Sequence, residues 1–261
     1  MDGLVLTGAE LESALSEAVD SIRNIVSKTG RKGVVYGLSG GIDSALVCKL
    51  ASEAGVDAHA LIMPEEGLTD PECVGDAVCL AESLGVKHTI LPINDILESF
   101  RRSFPHGVDK LSWGNVKART RMVLNYLTAN IEDRIVLGTG NKTELLLGYY
   151  TKYGDGGVDF LPIGSLYKTQ VRQLSRHVGL PEKIICKQPS AGLWAGQTDE
   201  GELGIDYEKL DAVLLNMVDL QVSVGEASAR TGVPEDKIKS LLERVKSNRH
   251  KIDGPEIPGL L

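Results

Sequence analysis

Long hydrophobic runs are missing from this chain of 261 residues; none approaches the roughly 20 apolar residues of a membrane span. Met1 to Glu10 carries Asp2 and Glu10 and has no basic segment followed by an apolar one, so no secretory leader is expected. Cysteine is scarce. Cys48, Cys73, Cys79 and Cys186 form no C-x-x-C pair and have no histidine at ligand spacing, which argues against a zinc centre or a disulfide framework. Cys48 and Cys79 fall on apolar helical faces, the ordinary setting of a small buried thiol, and a reduced, cytoplasmic protein is expected. Positive charge is in deficit: 28 Lys and Arg stand against 36 Asp and Glu, a net charge of −8. Such a surface is unsuited as a whole to nucleic acid. There is no internal repeat and no low-complexity tract.

What is present is a chain 42% hydrophobic, long enough to bury a full core as one large α/β domain over 1–261. Gly33 to Leu38 is a short, apolar, β-branched run and reads as a buried strand of a parallel sheet. From Asp43 onward, Ala45, Leu46, Val47 and Leu50 take a helical period. Ser39, Gly40 and Gly41 lie between strand and helix. Glycines let backbone N–H groups approach an anion, and a helix N-terminus adds the positive end of its dipole. The turn is a candidate phosphate cradle. A Walker loop would need a lysine that is missing here. A dinucleotide fingerprint fails because, counted from Gly37, its third and sixth places are Ser39 and Ile42. What remains, S-G-G-x-D-S, resembles the pyrophosphate-binding loop of the N-type ATP pyrophosphatases, which split ATP between its α- and β-phosphates and adenylate a substrate.

Glu10 to Lys28 has the spacing of an amphipathic helix ending at Gly30. A helix over 44–54, a strand over 58–63, a helix capped by Thr69 or Asp70 and a strand over 88–91 follow. This rhythm predicts a doubly wound parallel sheet with helices on both faces and right-handed crossovers. Phe100 to Trp113 breaks it, with Pro105, Gly107 and Gly114 nearby; a helix over 116–130 and a fourth strand, Ile135 to Leu137, come next. Open α/β sheets bind ligands at the carboxyl ends of their strands. The loop after the first strand and Gly138-Thr139-Gly140-Asn141 after the fourth are therefore expected to face one crevice. Gly148 to Asp159 is too rich in glycine for regular structure and marks a functional or mobile loop. A C-terminal helical part over 205–251 is expected to pack on the rest, and the tail Asp253 to Pro258 has no period. Within that part, two helices around Thr231-Gly232-Val233-Pro234 have the outline of a helix-turn-helix. Glu226, Glu235, Asp236 and Glu243 offset their basic residues, and a packed helix pair is the better reading.

A site that splits ATP must offset the charge of the leaving pyrophosphate, which calls for magnesium and basic side chains. Asp43 and Glu144 are the acids placed to share one ion; as plain structure, Asp43 reads equally as a helix N-cap and Glu144 as a solvated helix residue. Lys152 and Lys168 flank glycine-containing irregular stretches and could reach phosphates, although a lone lysine is ordinarily solvated. Arg119 and Arg121 stand two apart on one helix and cannot face the same way.

G-L-S-G-G-I-D-S (Gly37, Leu38, Ser39, Gly40, Gly41, Ile42, Asp43, Ser44), N-x-K-A-R-x-R (Asn115 to Arg121), G-T-G-N-K-x-E (Gly138 to Glu144) and T-K-Y-G-D-G-G-x-D (Thr151 to Asp159) stand in order. Leu166-Tyr167-Lys168-Thr169, K-x-P-S-A-x-L-W (Lys187 to Trp194), Q-T-D-E (Gln197 to Glu200) and His250-Lys251 follow. Together they resemble the ammonia-dependent NAD+ synthetases over nearly the whole chain. The resemblance implies an adenine nucleotide α-hydrolase-like fold, with ATP held by Gly37 to Ser44, Thr139, Lys168 and Ser190. It implies magnesium on Asp43 and Glu144, and deamido-NAD+ on Arg119, Lys152, Asp159, His250 and Lys251. Asp43, Glu144, Lys152 and Lys168 would be the catalytic set. Ser190 stands where some members have Thr, which keeps the hydroxyl. The family's reaction joins ATP, deamido-NAD+ and ammonia through an acyl-adenylate, and its members are homodimers that need no nucleic acid and no membrane. No glutaminase domain is expected, since none of the cysteines has an obvious nucleophile setting. A GMP-synthetase-like amidating enzyme is the nearest alternative; the Thr151 to Asp159 run and the His250-Lys251 ending argue against it.

Overall fold

The computed structural model describes residues 3–104, 106–194 and 196–254. The first helix, α1 (Gly8–Thr29), starts at a reciprocal capping box between Thr7 and Glu10 and stops at left-handed Gly30. β1 (Gly33–Gly37), α2 (Ile42–Glu53), β2 (Asp57–Ile62), α3 (Pro71–Ser83) and β3 (Lys87–Ile90) alternate after it. α4 (Asn94–Ser103) and α5 (Lys110–Glu132) precede β4 (Arg134–Val136). The chain then passes through α6 (Lys142–Leu147), α7 (Lys168–His177), α8 (Glu182–Ile185) and α9 (Asp199–Leu203). It ends in α10 (Tyr207–Leu214), α11 (Val224–Thr231) and α12 (Glu235–Ser247). No described helix is long and apolar enough to cross a membrane.

All strand pairs are parallel, in the order β3-β2-β1-β4. Alternation along β1 divides the core. Val34 and Tyr36 pack with α1, α2, α3 and α7 on one face, while Val35 turns to α4 and α5 on the other. Leaving β1, the chain winds towards β2 and β3 and returns on the opposite side as β4. The β1–β4 boundary is therefore the switch point, at whose carboxyl end open α/β sheets place their ligands. A third apolar cluster joins Leu147 of α6 and Tyr167 to Tyr207, Leu210, Ala227, Ile238 and Leu241 of the C-terminal helices.

Three expectations change. The stretch around Phe100 is helical, and α5 begins at Lys110 rather than near 116 because the Asp109 side chain accepts the Ser112 N–H at 2.9 Å. Gly114 lies inside that helix, where a Cβ would come within 3.2 Å of Leu193 and 3.3 Å of Trp194. Close packing, not a chain break, explains the glycine. Cys79 is exposed, since α3 buries Asp76, Ala77, Leu80 and Ala81 and Cys79 points away from that stripe. Pro105 and the tail from Pro255 onward lie outside the described residues.

The amino end of the sheet is tied by charge. Arg134 reaches across β1 to Asp57, donating to its carbonyl at 2.7 Å and its carboxylate at 2.9 Å. Gly33 makes room, for a Cβ there would lie 2.0 Å from the Asp57 carbonyl and 2.7 Å from the Arg134 guanidinium. Glu132 accepts from Arg134 at 2.6 Å and Lys87 at 2.8 Å, and faces Nδ1 of buried His59 at 3.0 Å. Lys87 foremost, against the opposing effect of burial, and then Arg134 and His59 hold the Glu132 carboxyl down at about 2. Its folded pKa lies below the unfolded value, so the network contributes stability that is complete above about pH 4.5 and is lost as pH falls towards 2. Glu132→Gln should remove that component. Urea midpoints measured from about pH 5 downward should fall less steeply in the variant than in the wild type; parallel slopes would show that Glu132 contributes none of the dependence.

Candidate active site

Just past β1, the Leu38 N–H donates to the Leu61 carbonyl at 2.8 Å, and the chain then turns through Ser39, Gly40 and Gly41 into α2. Gly40 has φ of +80°, and a Cβ there would sit 2.2 Å from the Cys73 carbonyl oxygen in α3. A side chain at this point would meet left-handed strain of roughly 1–2 kcal/mol as well as a collision. The loop's own hydroxyls hold its shape. Ser44 Oγ accepts the Ser39 N–H at 3.1 Å and donates to the Gly41 carbonyl at 3.0 Å, while Ser39 Oγ accepts the Gly41 N–H at 3.2 Å. The N-cap of α2 is Gly41, so Asp43 is not the cap. It stands in the first turn, where backbone N–H groups lack intrahelical partners and the positive dipole end points outward.

Lys168 opens α7 and is only 2% exposed, unlike the ordinary solvated lysine. Its ammonium donates to Asp43 Oδ2 and lies 3.5 Å from Glu144 Oε1. Asn141 Nδ2 donates to the other Asp43 oxygen at 2.9 Å, and Asn141 with Glu144 forms the capping box that starts α6. Three of the four expected catalytic residues therefore meet across the β1–β4 boundary, as the shared crevice requires. Burial alone pulls the Lys168 pKa down, but attraction to Asp43 and then Glu144 outweighs it and the net shift is upward. Burial first and repulsion by Asp43 second lift the Glu144 carboxyl above the usual carboxylate range. Thr139 lies half-buried in the loop between β4 and α6, while Ser190 is exposed and its Oγ accepts the Gly192 N–H at 3.1 Å.

Arg119, Lys152, His250 and Lys251 gather at the far end of α6, whose six residues span roughly 9 Å; Asp159 stands apart from them. Lys251 Nζ donates to the carbonyls of Gly148, at 2.5 Å, and Tyr150, at 2.9 Å. It thus caps the helix C-terminus with a cation. Lys152 Nζ donates to the His250 carbonyl, and Arg119 to the Lys152 carbonyl at 3.3 Å. Arg121, two residues on, turns inward and donates to the Met63 carbonyl at 3.0 Å, as the helical period demands. Asp159 accepts the Val136 N–H and the Tyr126 hydroxyl, both at 2.9 Å, which fixes it beside the carboxyl end of β4.

The glycine-rich run between Thr151 and Asp159 is a chain of turns. Thr151 takes the N–H groups of Gly154 at 2.9 Å and Gly156 at 3.2 Å on its carbonyl. A Cβ on Gly156 would stand 2.4 Å from the Tyr150 ring, and one on Gly157 would stand 3.1 Å from Met122. Close approach, rather than freedom of movement, accounts for these glycines.

Several residues around the site escaped the sequence reading. Asn141 had a signal, the N-x-x-E capping pattern with Glu144. Asp199 stood in the Q-T-D-E motif without an assigned role, and Tyr207 had no signal. The Tyr207 ring lies 5.3 Å from Lys168 Nζ, and its hydroxyl donates to Asp199 at 2.9 Å.

A glycine-rich anion loop, two converging carboxylates and a buried ammonium suit the site to nucleotide phosphates, and comparison with known proteins agrees. The NAD synthase family model matches residues 14–255. An NH(3)-dependent NAD(+) synthetase from Methanosarcina mazei is 49% identical over 255 residues, covering 96% of this chain and 99% of that protein. Among solved structures, an NMN synthetase from Francisella tularensis superposes with a TM-score of 0.82 at 34% identity, covering 96% of this chain and 99% of that one. The NH3-dependent NAD synthetase from Campylobacter jejuni in complex with the nitrate ion gives 0.81 at 33%, covering 95% and 99%. Sheet topology, loop geometry and relatives converge, and the chain belongs to the NAD synthase family.

Proposed function

We propose that the chain is an NH3-dependent NAD+ synthetase that amidates deamido-NAD+ at the expense of ATP. The observation that carries the reading is the meeting of Lys168, Asp43 and Glu144 at the mouth of the Gly37–Ser44 loop. An oxygen of the nicotinate carboxylate attacks the α-phosphorus, and the bond from that phosphorus to the bridging oxygen breaks, releasing pyrophosphate. Ammonia then attacks the acyl carbon of the adenylate and loses a proton, and AMP departs with the carboxyl oxygen. No protein nucleophile is needed. The chain positions the reactants and stabilises charge as it develops. The loop N–H groups and the α2 dipole receive phosphate oxygens, Lys168 offsets their charge, and Thr139 and Ser190 line the same nucleotide. Arg119, Lys152, His250 and Lys251 at the far end of α6, with Asp159 beside β4, receive the dinucleotide.

Asp43 and Glu144 would hold magnesium. Among the described residues no three His, Cys, Asp or Glu side chains cluster to hold a metal ion. Magnesium fits a two-carboxylate set all the same, because it takes one or two carboxylates and completes its shell with water and phosphate oxygens. Bound there, it would neutralise charge on the leaving pyrophosphate.

A homodimer is part of this reading. Val123, Leu127 and Ile131 are exposed at four-residue spacing along α5, a stripe that a second copy would cover. Leu127→Glu combined with Val123→Glu should convert a sedimenting dimer to a monomer; a wild type that already sediments as a monomer would end the dimer proposal.

The Francisella relative gives a second reading its footing, amidation of the corresponding mononucleotide. AMP release with ammonium, measured on deamido-NAD+ and nicotinate mononucleotide side by side, tests both. Turnover should be strong on deamido-NAD+ with ammonium and absent with glutamine as sole nitrogen donor. Sustained glutamine-driven amidation, free of contaminating ammonia, would overturn the ammonia assignment. Asp43→Asn and Glu144→Gln should each reduce turnover by about 10²-fold or more at saturating magnesium, in variants whose far-UV circular dichroism shows them folded at the assay temperature. Near-normal turnover in either variant would remove that residue from the metal role.

A further inference from the structure

Asp211 of α10 is fully buried, at 0% exposure, and its hydrogen-bond partners are all neutral. Its Oδ1 accepts from Thr143 Oγ1 at 2.6 Å, and its Oδ2 accepts from the N–H and Oγ1 of Thr169, both at 2.7 Å. A carboxylate so placed is unfavourable unless its oxygens are satisfied; three donors and the N-terminal dipole of α7 satisfy this one. Its two threonines have telling neighbours. Thr143 precedes Glu144 on α6, and Thr169 follows Lys168 on α7. Thr143 Oγ1 also accepts the Lys168 N–H at 2.9 Å. The N-cap of α7, Tyr167, offers no side-chain cap. The first two N–H groups of α7 are therefore capped from other elements, by Thr143 and Asp211. One turn earlier on α10, Tyr207 sets its ring beside Lys168 Nζ. A single face of this C-terminal helix governs both the backbone and the ammonium environment of Lys168.

We propose that Asp211 is a positioning residue for the reaction: through Thr143 and Thr169 it joins α6 to α7 and holds Glu144 and Lys168 at their separation beside the phosphate loop. Asp211 touches no reactant. It acts by fixing two groups whose placement decides how charge around the α-phosphate is met. The inference rests on the functional reading above, which supplies the roles of Glu144 and Lys168.

The test is a double-mutant cycle between Asp211→Asn and Lys168→Ala. Its readouts are ATP–pyrophosphate exchange with deamido-NAD+ and, separately, ATP affinity by calorimetry. Asparagine keeps the size of the side chain but presents a donor where a threonine donor now points. Asp211→Asn should lower kcat by something on the order of 10²-fold, with KM for deamido-NAD+ unchanged within about threefold. If Asp211 acts through Lys168, the double variant should be no slower than Lys168→Ala alone. A loss that multiplies in the double variant, or a folded Asp211→Asn enzyme with wild-type kcat, overturns the proposal. Should Asp211→Asn fail to fold, Thr143→Val enters the same cycle, and Thr143→Ser, which keeps the hydroxyl, should recover most of the loss. The calorimetric cycle separates the two layers of inference. A wild type that releases no AMP from deamido-NAD+ and ammonium defeats the functional reading, while coupled or independent effects on ATP affinity still decide the role of Asp211.

Discussion

An ammonium group enclosed at 2% exposure is the constraint around which this molecule is arranged. A charged lysine removed from water is stable only if opposite charge stands against it, and Asp43 and Glu144 supply it from two different elements. That requirement ties α7 to the phosphate loop and to the loop after β4, and so closes the carboxyl end of the β1–β4 boundary into one site. Removing one member of such a buried group typically costs about 3–5 kcal/mol, because the remaining charges are left unopposed. Under the proposed function, fold and chemistry share one set of contacts: the charges proposed to meet a nucleotide also hold the elements of the crevice together.

The two ends of α6 are held by different parts of the fold. Its N-terminus carries the Asn141–Glu144 capping box and faces the phosphate loop. Its C-terminus, at left-handed Gly148, is held by Lys251 from the end of the chain. The C-terminal helices are part of the site's frame. Through Tyr207 and Asp211 they set the surroundings of Lys168, and through Lys251 they fix the turn that leads to Lys152 and Asp159. The long turn from Thr151 to Asp159 is correspondingly built on close contacts with Tyr150 and Met122.

At the opposite end of the sheet the same principle works without chemistry. Arg134 crosses over Gly33 to Asp57, and Glu132 gathers Lys87, Arg134 and His59. The strands are thus tied by charge at the amino end and by the Lys168 group at the carboxyl end, with apolar layers on both faces between.

Local pattern determined much of this protein. Apolar periodicity specified the β-α-β-α-β order, glycine and capping residues marked most helix ends, and S-G-G-x-D-S marked a candidate phosphate loop. Each signal is local, carried by residues within a turn or two of one another. The meeting of the β1 and β4 loops was also legible, because switch-point geometry follows from topology alone. Tertiary structure alone decided which lysine is buried, since Lys168 and Lys152 look alike in sequence and differ only in what packs around them. It likewise decided that Asp43 faces Lys168 rather than capping α2, that Gly114 and Gly156 serve close packing, and that Tyr207 and Asp211 join the site. Those contacts link residues far apart in the chain, and burial, which sets their charge states and strength, exists only once the elements have packed.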